Sequence, residues 1–151
     1  MKILDLSAGK RSMWFDKKHP AALFVDHRPE VQPDVVADTR ALPKDLGSDF
    51  DLVVFDPPHL NFGANGIFAK EYGHYSAREI RQLVTETARE AWRVAKPEAL
   101  MAFKWNDHSM KLATILALLE PYWEPLFGTR AGRGSARGNA TYWTMLRRRA
   151  A

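Results

Sequence analysis

The sequence predicts an α/β fold with a mostly parallel sheet, closed at its C-terminal end by an antiparallel hairpin. Short apolar runs alternate with helical patterns along the chain, which is typical of a parallel sheet covered by helices. One run, residues 52–55, leads straight into Asp56, Pro57 and Pro58, and proline cannot continue a strand. Two further strand-like runs flank a Gly/Arg-rich loop near the C-terminus. The chain has 151 residues, a length that suits a single domain of this fold.

The composition excludes several classes of protein. The chain has no cysteine, so disulfides and cysteine nucleophiles are excluded, and its histidines lack the spacing of a zinc site. No run of ~18 apolar residues and no signal peptide are present, so we expect a cytoplasmic chain that does not contact membranes. The net charge of +4 is local, since residues 128–151 carry six arginines and no acidic residue.

The strands are predicted from their apolar, β-branched runs. They cover residues 1–6, 22–25, 35–37, 50–55 and 100–105, followed by a closing pair at 122–127 and 141–146. A short helical segment through residues 13–15 is predicted after the first strand. Residues 27–33 are too short and too rich in proline for a helix, so one face of the sheet should be thinly covered. Self-association or a loop could cover it.

Two helices are predicted. The first is the more clearly marked, because apolar and small residues recur at helical spacing between Ile80 and Ala95. Ser76 and Glu79 form a capping-box pattern at its start, and Pro97 should end it. The second covers residues 111–119.

Acidic residues fall at the ends of the first three predicted strands. Asp5 precedes a turn that contains Gly9, Asp26 ends the second strand, and Asp38 follows the third. In nucleoside-binding α/β folds, a carboxylate after the second strand accepts hydrogen bonds from the ribose hydroxyls, and a glycine lets the chain approach the ligand. Each residue alone is more often a turn or cap residue, but their common order favours a nucleoside site.

These residues resemble a known family. Residues 3–10, Ile-Leu-Asp-Leu-Ser-Ala-Gly-Lys, are similar to the first motif of class I S-adenosylmethionine-dependent methyltransferases. Residues 54–59, Val-Phe-Asp-Pro-Pro-His, resemble the Asp/Asn-Pro-Pro-aromatic motif of the amino-methyltransferase branch, and the chain is similar to small phage-encoded methyltransferase-like proteins. The resemblance implies a minimal Rossmann-like fold and S-adenosylmethionine as cofactor. It also implies cofactor binding by Asp5, Ser7, Gly9, Asp26 and Asp38.

The same resemblance assigns catalysis to Asp56, Pro57, Pro58 and His59. An exocyclic amine is a poor nucleophile because its lone pair is delocalised into the ring. Asp56 and the Pro57 carbonyl could accept its two N–H bonds, and the prolines would hold those acceptors rigid. His59 stands where the family has an aromatic residue, and either stacking on the base or action as a general base fits its ring.

Candidate substrate contacts follow from the loops around this edge. Tyr72 and Tyr75 lie in a long aromatic loop, a length that is usually functional or disordered. Lys104, Trp105 and Asn106 end the fifth strand, although Trp105 could equally lie in the core.

The Gly/Arg-rich loop, residues 128–138, contains Arg130 and Arg133, which could contact phosphates. A solvated hairpin loop is the alternative. We therefore expect a methyltransferase that acts on an amino nitrogen, chiefly of a nucleobase in DNA or RNA, with nucleic acid as a partner. The chain shows no separate target-recognition domain, so a homo-oligomer or a partner chain could supply recognition. The alternative is a non-catalytic binding module on a methyltransferase-like fold.

Overall fold

The computed structural model describes residues 1–58, 75–131 and 139–150. In chain order the strands are β1 (Ile3–Asp5), β2 (Ala22–Asp26), β3 (Val35–Val36), β4 (Phe50–Phe55), β5 (Ala95–Asn106), β6 (Trp123–Ala131) and β7 (Thr141–Arg148). The α-helices of the described residues are α1 (Ala77–Val94) and α2 (Leu112–Leu119). Two short 3-10 helices cover Pro29–Val31 and Lys44–Leu46.

All seven strands form one sheet in the order β3-β2-β1-β4-β5-β7-β6. The pairings among β3, β2, β1, β4 and β5 are parallel, and β7 runs antiparallel between β5 and β6. The predicted α/β fold and its antiparallel closing hairpin are confirmed. Because β1 lies between β2 and β4, the carboxyl ends of these three strands meet at one edge of the sheet.

Helix α1 forms as its sequence predicts. The Ser76 hydroxyl accepts from the Glu79 amide at 3.2 Å, and the Glu79 carboxylate accepts from the Ser76 amide at 2.7 Å, which completes the capping box. Its buried face packs with β5 and α2 in the core, where Trp105 and Trp123 are fully buried. The indoles of these tryptophans donate to carbonyls, Trp105 to Met110 at 2.8 Å and Trp123 to Ala88 at 2.9 Å. Both large side chains therefore enter the core without an unsatisfied N–H group.

The predicted helical segment at residues 13–15 is wrong, because residues 6–21 form a series of turns instead. Arg11 has a φ of 55°, which a continuous helix does not permit. Its guanidinium donates to the carbonyls of Lys17 at 2.7 Å and Gln32 at 3.1 Å and lies over the Phe24 ring. The tertiary contacts of Arg11 thus stabilise these turns. The local residue pattern, which favours a helix, does not predict such contacts.

Other boundaries differ by a few residues. Helix α1 ends at Val94 rather than at Pro97, because Ala95 already pairs with Phe50 as the first residue of β5. Strands β6 and β7 extend further than predicted, since they pair along their length. Only a 3-10 helix connects β2 to β3, as expected. No helix within the described ranges is both long and apolar enough to cross a membrane.

Candidate active site

The carboxyl edge of β1, β2 and β4 gathers three carboxylates. Asp5 is opposite Phe24 of β2 and Val54 of β4, so Asp26 and Asp56 each lie two residues further along the neighbouring strands. The turn after β1 contacts all three acids, because the Ser7 amide donates to Asp5, the Ser7 hydroxyl accepts from the Asp56 amide, and the Gly9 amide donates to Asp26. The structure therefore brings together the strand-end acids that the sequence singled out, except for Asp38, which follows β3 beyond β2.

Asp5 is held within the turn that follows β1. It is fully buried, and its carboxylate accepts from the Ser7 amide at 3.0 Å and the Trp14 indole at 2.7 Å. Burial raises the pKa of Asp5 to about 6, against the opposing effect of those two hydrogen bonds. Asp5 thus supports this turn, and its contact with a cofactor stays a prediction.

Gly9 and Asp26 are in direct contact at this edge of the sheet. Gly9 has a φ of 48°, a conformation that glycine adopts without strain, and its amide donates to Asp26 Oδ2 at 2.9 Å. A Cβ at Gly9 would lie 3.5 Å from Arg28 Nη2, so the open side of the turn faces the Arg28 guanidinium.

Arg28 holds the Asp26 carboxylate from the solvent side. The Arg28 amide and Nε both donate to Oδ1 at 3.0 Å, and Nη2 donates to Oδ2 at 3.1 Å. Burial would raise the pKa of Asp26, but the hydrogen bonds from Arg28 and Gly9 hold that pKa below its usual value. Asp26 is 5% exposed and Arg28 is 25% exposed, so the guanidinium covers the carboxylate.

Asp38 forms the same kind of pair with Arg40, two residues further on. The Arg40 amide and guanidinium donate to both carboxylate oxygens, at distances from 2.6 to 3.0 Å. Hydrogen bonding from Arg40 lowers the pKa of Asp38. Unlike Asp26, Asp38 is 44% exposed. The loop that follows is fastened to α1 by a hydrogen bond of 2.9 Å between Thr39 and the buried Thr87.

Asp56 is fixed at two atoms. Its amide donates to the Ser7 hydroxyl at 2.7 Å, which ties the turn after β4 to the turn after β1. Its Oδ2 accepts from Lys104 Nζ at 2.7 Å, and the same ammonium lies 5.9 Å from the centre of the Trp143 ring. Ser7, predicted as a cofactor residue, thus connects the two candidate half-sites.

Asp56 and Pro57 each offer an oxygen acceptor on this turn. No hydrogen bond among the described residues ends on Asp56 Oδ1 or on the Pro57 carbonyl oxygen. The Asp56 side chain is 19% exposed, so part of it is accessible to solvent. Pro57 is buried and Pro58 half-buried, which holds the turn in place.

The predicted substrate residues divide into three groups. Lys104 forms an ion pair with Asp56 at the candidate site. Asn106, at the end of β5, donates to Thr141 Oγ1 at 2.8 Å. Trp105 is fully buried, so the core alternative is the one observed, and Tyr75 packs against the same core. Arg130 is exposed on β6.

Three of the predicted site residues lie outside the described residues. These are His59, Tyr72 and Arg133. Most of the Gly/Arg-rich loop, residues 132–138, lies outside them too.

Sequence reasoning missed Trp14, Arg28, Arg40 and Trp143. Two of them had a visible signal, because an arginine follows each strand-end acid at the same spacing, in Asp26-His27-Arg28 and Asp38-Thr39-Arg40. An amide and a side chain two residues after an aspartate are well placed to return to its carboxylate. Trp14 and Trp143 had no such signal, since their partners are distant in the sequence.

No protein-family model matches the chain, and no curated protein matches its sequence. Its fold, however, matches solved structures. N-methyltransferase NodS from Bradyrhizobium japonicum WM9, in complex with S-adenosyl-L-homocysteine, has a TM-score of 0.64 at 11% identity, over 99% of this chain and 78% of that one. A mutant of the 16S rRNA (adenine(1408)-N(1))-methyltransferase from Catenulisporales acidiphilia has a TM-score of 0.64 at 12% identity, over 98% and 85%. The [4+2]-cyclase SpnF has a TM-score of 0.66 at 12% identity, over 99% and 76%.

The chain has the Rossmann-like fold of these methyltransferases. At such identities the likeness concerns the fold, and the cyclase shows that the same fold serves a different reaction. Function must therefore be argued from the site.

Proposed function

We propose that this protein is an S-adenosylmethionine-dependent methyltransferase that acts on an amino nitrogen, namely the exocyclic amine of a nucleobase in DNA or RNA. The observation that carries the proposal is the junction made by Ser7. It joins the glycine turn beside Asp26 to the rigid turn Asp56-Pro57-Pro58 through a 2.7 Å hydrogen bond. A nucleoside-binding turn and an amine-binding turn thus share one edge of the sheet, where open α/β sheets bind ligands.

The residues at this edge fit a nucleoside cofactor. Gly9 leaves room for close approach, and Asp26 offers a carboxylate of the kind that binds ribose hydroxyls. The exposed Asp38, two residues after β3, would accept a hydrogen bond from the adenine amine. When bound, S-adenosylmethionine would supply an activated methyl group, so the protein's contribution is mainly the positioning of the acceptor.

The turn after β4 performs that positioning. An amine that donates its two N–H bonds to Asp56 Oδ1 and the Pro57 carbonyl becomes more pyramidal, and its lone pair is directed away from both acceptors. Lys104 holds Oδ2 at 2.7 Å, which leaves Oδ1 for the amine. Methyl transfer would form an N–C bond as the sulfonium S–C bond breaks and S-adenosylhomocysteine leaves, and the amine would lose one proton to water or to a nearby base.

A nucleobase is supported by three features. The Asp-Pro-Pro turn is similar to that of amino-methyltransferases, one structural neighbour is an rRNA adenine methyltransferase, and the C-terminal region is basic. Arg130 is exposed on β6 within the Gly/Arg-rich segment 128–138, which we propose as the contact with nucleic acid. A second copy or a partner chain would supply target recognition.

A non-catalytic binding module is the second candidate, and particular contacts favour it. Asp26 and Asp38 both carry an arginine on their carboxylates, and Asp56 carries Lys104. If the Arg28 pair never opens, Asp26 binds no ribose.

Calorimetric titration of the purified protein with S-adenosylmethionine and S-adenosylhomocysteine, with NAD as control, separates the two candidates. The methyltransferase proposal predicts that both sulfur nucleosides bind and that NAD does not. Absence of binding by all three would contradict it and favour the non-catalytic module.

A further inference from the structure

We propose that Arg28 sets the affinity of the cofactor site by occupying the two acceptor positions on Asp26 that a ribose diol requires. This inference rests on the proposed nucleoside cofactor and concerns a residue that no family motif assigns. A ribose can bind Asp26 only as the guanidinium leaves it.

A carboxylate can accept about four hydrogen bonds, because its two oxygens together offer about four lone-pair positions. In Asp26, Oδ1 accepts from the Arg28 amide and from Arg28 Nε, and Oδ2 accepts from the Gly9 amide and from Arg28 Nη2. Every position is filled. Two of the donors are backbone amides of the folded chain, whereas the other two belong to one side chain that can rotate.

The guanidinium uses one position on each oxygen. A 1,2-diol presents two O–H donors at a spacing that also matches the two oxygens of a carboxylate. When Arg28 leaves, the positions that become free are therefore the pair that the ribose hydroxyls need. The amides of Gly9 and Arg28 keep the carboxylate oriented throughout.

The position of the guanidinium supports direct competition. Asp26 is 5% exposed beneath an arginine that is 25% exposed, so a ligand that arrives from solvent meets Arg28 first. Arg28 Nη2 also lies 3.5 Å from the place of a Gly9 Cβ, on the side of the turn that the missing side chain leaves open. The guanidinium thus contacts the Asp26 carboxylate and lies at the open side of the Gly9 turn, and the sequence assigned both residues to cofactor binding.

Arg40 does not produce the same competition. Its partner Asp38 is 44% exposed, so a ligand can reach that carboxylate from solvent while the ion pair persists.

The test compares adenosine with 2′,3′-dideoxyadenosine by calorimetric titration of the wild type and Arg28→Ala. We expect Arg28→Ala to bind adenosine about tenfold more tightly or better, because the competing charged hydrogen bonds are gone. Affinity for 2′,3′-dideoxyadenosine should stay unchanged, since this ligand offers Asp26 no donors. Arg147→Ala, which removes a surface ion pair with Glu124, is the matched arginine control and should alter neither affinity.

A second measurement uses the wild type and does not depend on how the variant folds. The Nε–H resonance of Arg28, assigned in the wild type through its scalar couplings to the Arg28 backbone, should shift when S-adenosylhomocysteine is added. If this ligand binds while the resonance stays in place, or if a folded Arg28→Ala binds adenosine no more tightly than the wild type, the inference is wrong and the cofactor proposal stands. If neither S-adenosylhomocysteine nor adenosine binds either protein, both are overturned.

Discussion

Replacement of Asp5 by asparagine should change how the stability of this protein depends on pH. The pKa of the carboxyl is raised from 3.8 to about 6 in the folded state, chiefly by burial. The folded protein therefore holds this proton more tightly than the unfolded chain. The stabilising contribution of Asp5 is fully present below pH 3.8 and is lost as the pH rises through 6.

The magnitude follows from the size of the shift. A difference of about two pKa units corresponds to about 3 kcal/mol at 1.36 kcal/mol per unit. Asp5→Asn removes the titration, so the free energy of unfolding of the wild type relative to the variant should fall by about 2 kcal/mol between pH 4 and pH 7, since part of the full effect lies below pH 4. The carboxyls of Asp26 and Asp38 have lowered pKa values, and their contributions are lost below pH 4 instead. They are common to both proteins and cancel in the comparison.

The assay is urea denaturation of both proteins at half-unit intervals from pH 4 to 8. Asparagine cannot accept from both the Ser7 amide and the Trp14 indole, so the variant also loses one hydrogen bond at every pH. That loss is a constant offset, and only the slope of the difference against pH reports the titration of Asp5. A difference that stays flat from pH 4 to 7 would refute the reasoning.

Three further substitutions test other parts of the site and core. Asp26→Ala should weaken S-adenosylhomocysteine binding by about 1–3 kcal/mol, toward the lower end because Arg28 competes in the wild type, and unchanged affinity in calorimetry would remove Asp26 from the site. Lys104→Met should lower the rate of methyl transfer by about tenfold to hundredfold, because Asp56 loses the ammonium that orients it, with cofactor affinity kept within a few-fold. An unaltered rate would make this ion pair structural only. Trp105→Ala should reduce the free energy of unfolding by about 3–5 kcal/mol, since the indole is fully buried, and a loss below 1 kcal/mol in urea denaturation would contradict its place in the core.

The parts of the site that the sequence predicts are those set by local rules. Pro57 and Pro58 prevent β4 from continuing beyond Phe55, and this effect does not depend on tertiary contacts. The sequence therefore predicts that Asp56 directly follows the strand. The capping box of Ser76 and Glu79 likewise depends on neighbours within one turn of helix. The parallel pairing of β1 with β2 and β4 then brings Asp26 and Asp56 to one edge of the sheet.

The parts that the sequence does not predict depend on contacts between distant residues. Lys104 meets Asp56 across 48 positions, so it could be predicted as a residue of the active edge but not as the partner of the carboxylate. Asp5 has the sequence context of a cofactor ligand, yet the Trp14 indole and the surrounding core bury it. Burial depends on how the turns after β1 fold back, and their helical spacing suggested a different structure.

The central claim is that Asp56 positions an amine for methylation, and methyl transfer itself tests it most directly. Wild type and Asp56→Ala would be incubated with S-adenosylmethionine labelled in its methyl group and with single-stranded DNA and RNA, and the nucleosides analysed by mass spectrometry. The account predicts label on an exocyclic amine with the wild type. It also predicts no label with Asp56→Ala, whose affinity for S-adenosylhomocysteine stays within a few-fold. Equal transfer by both proteins, or a variant that loses cofactor binding, would contradict it.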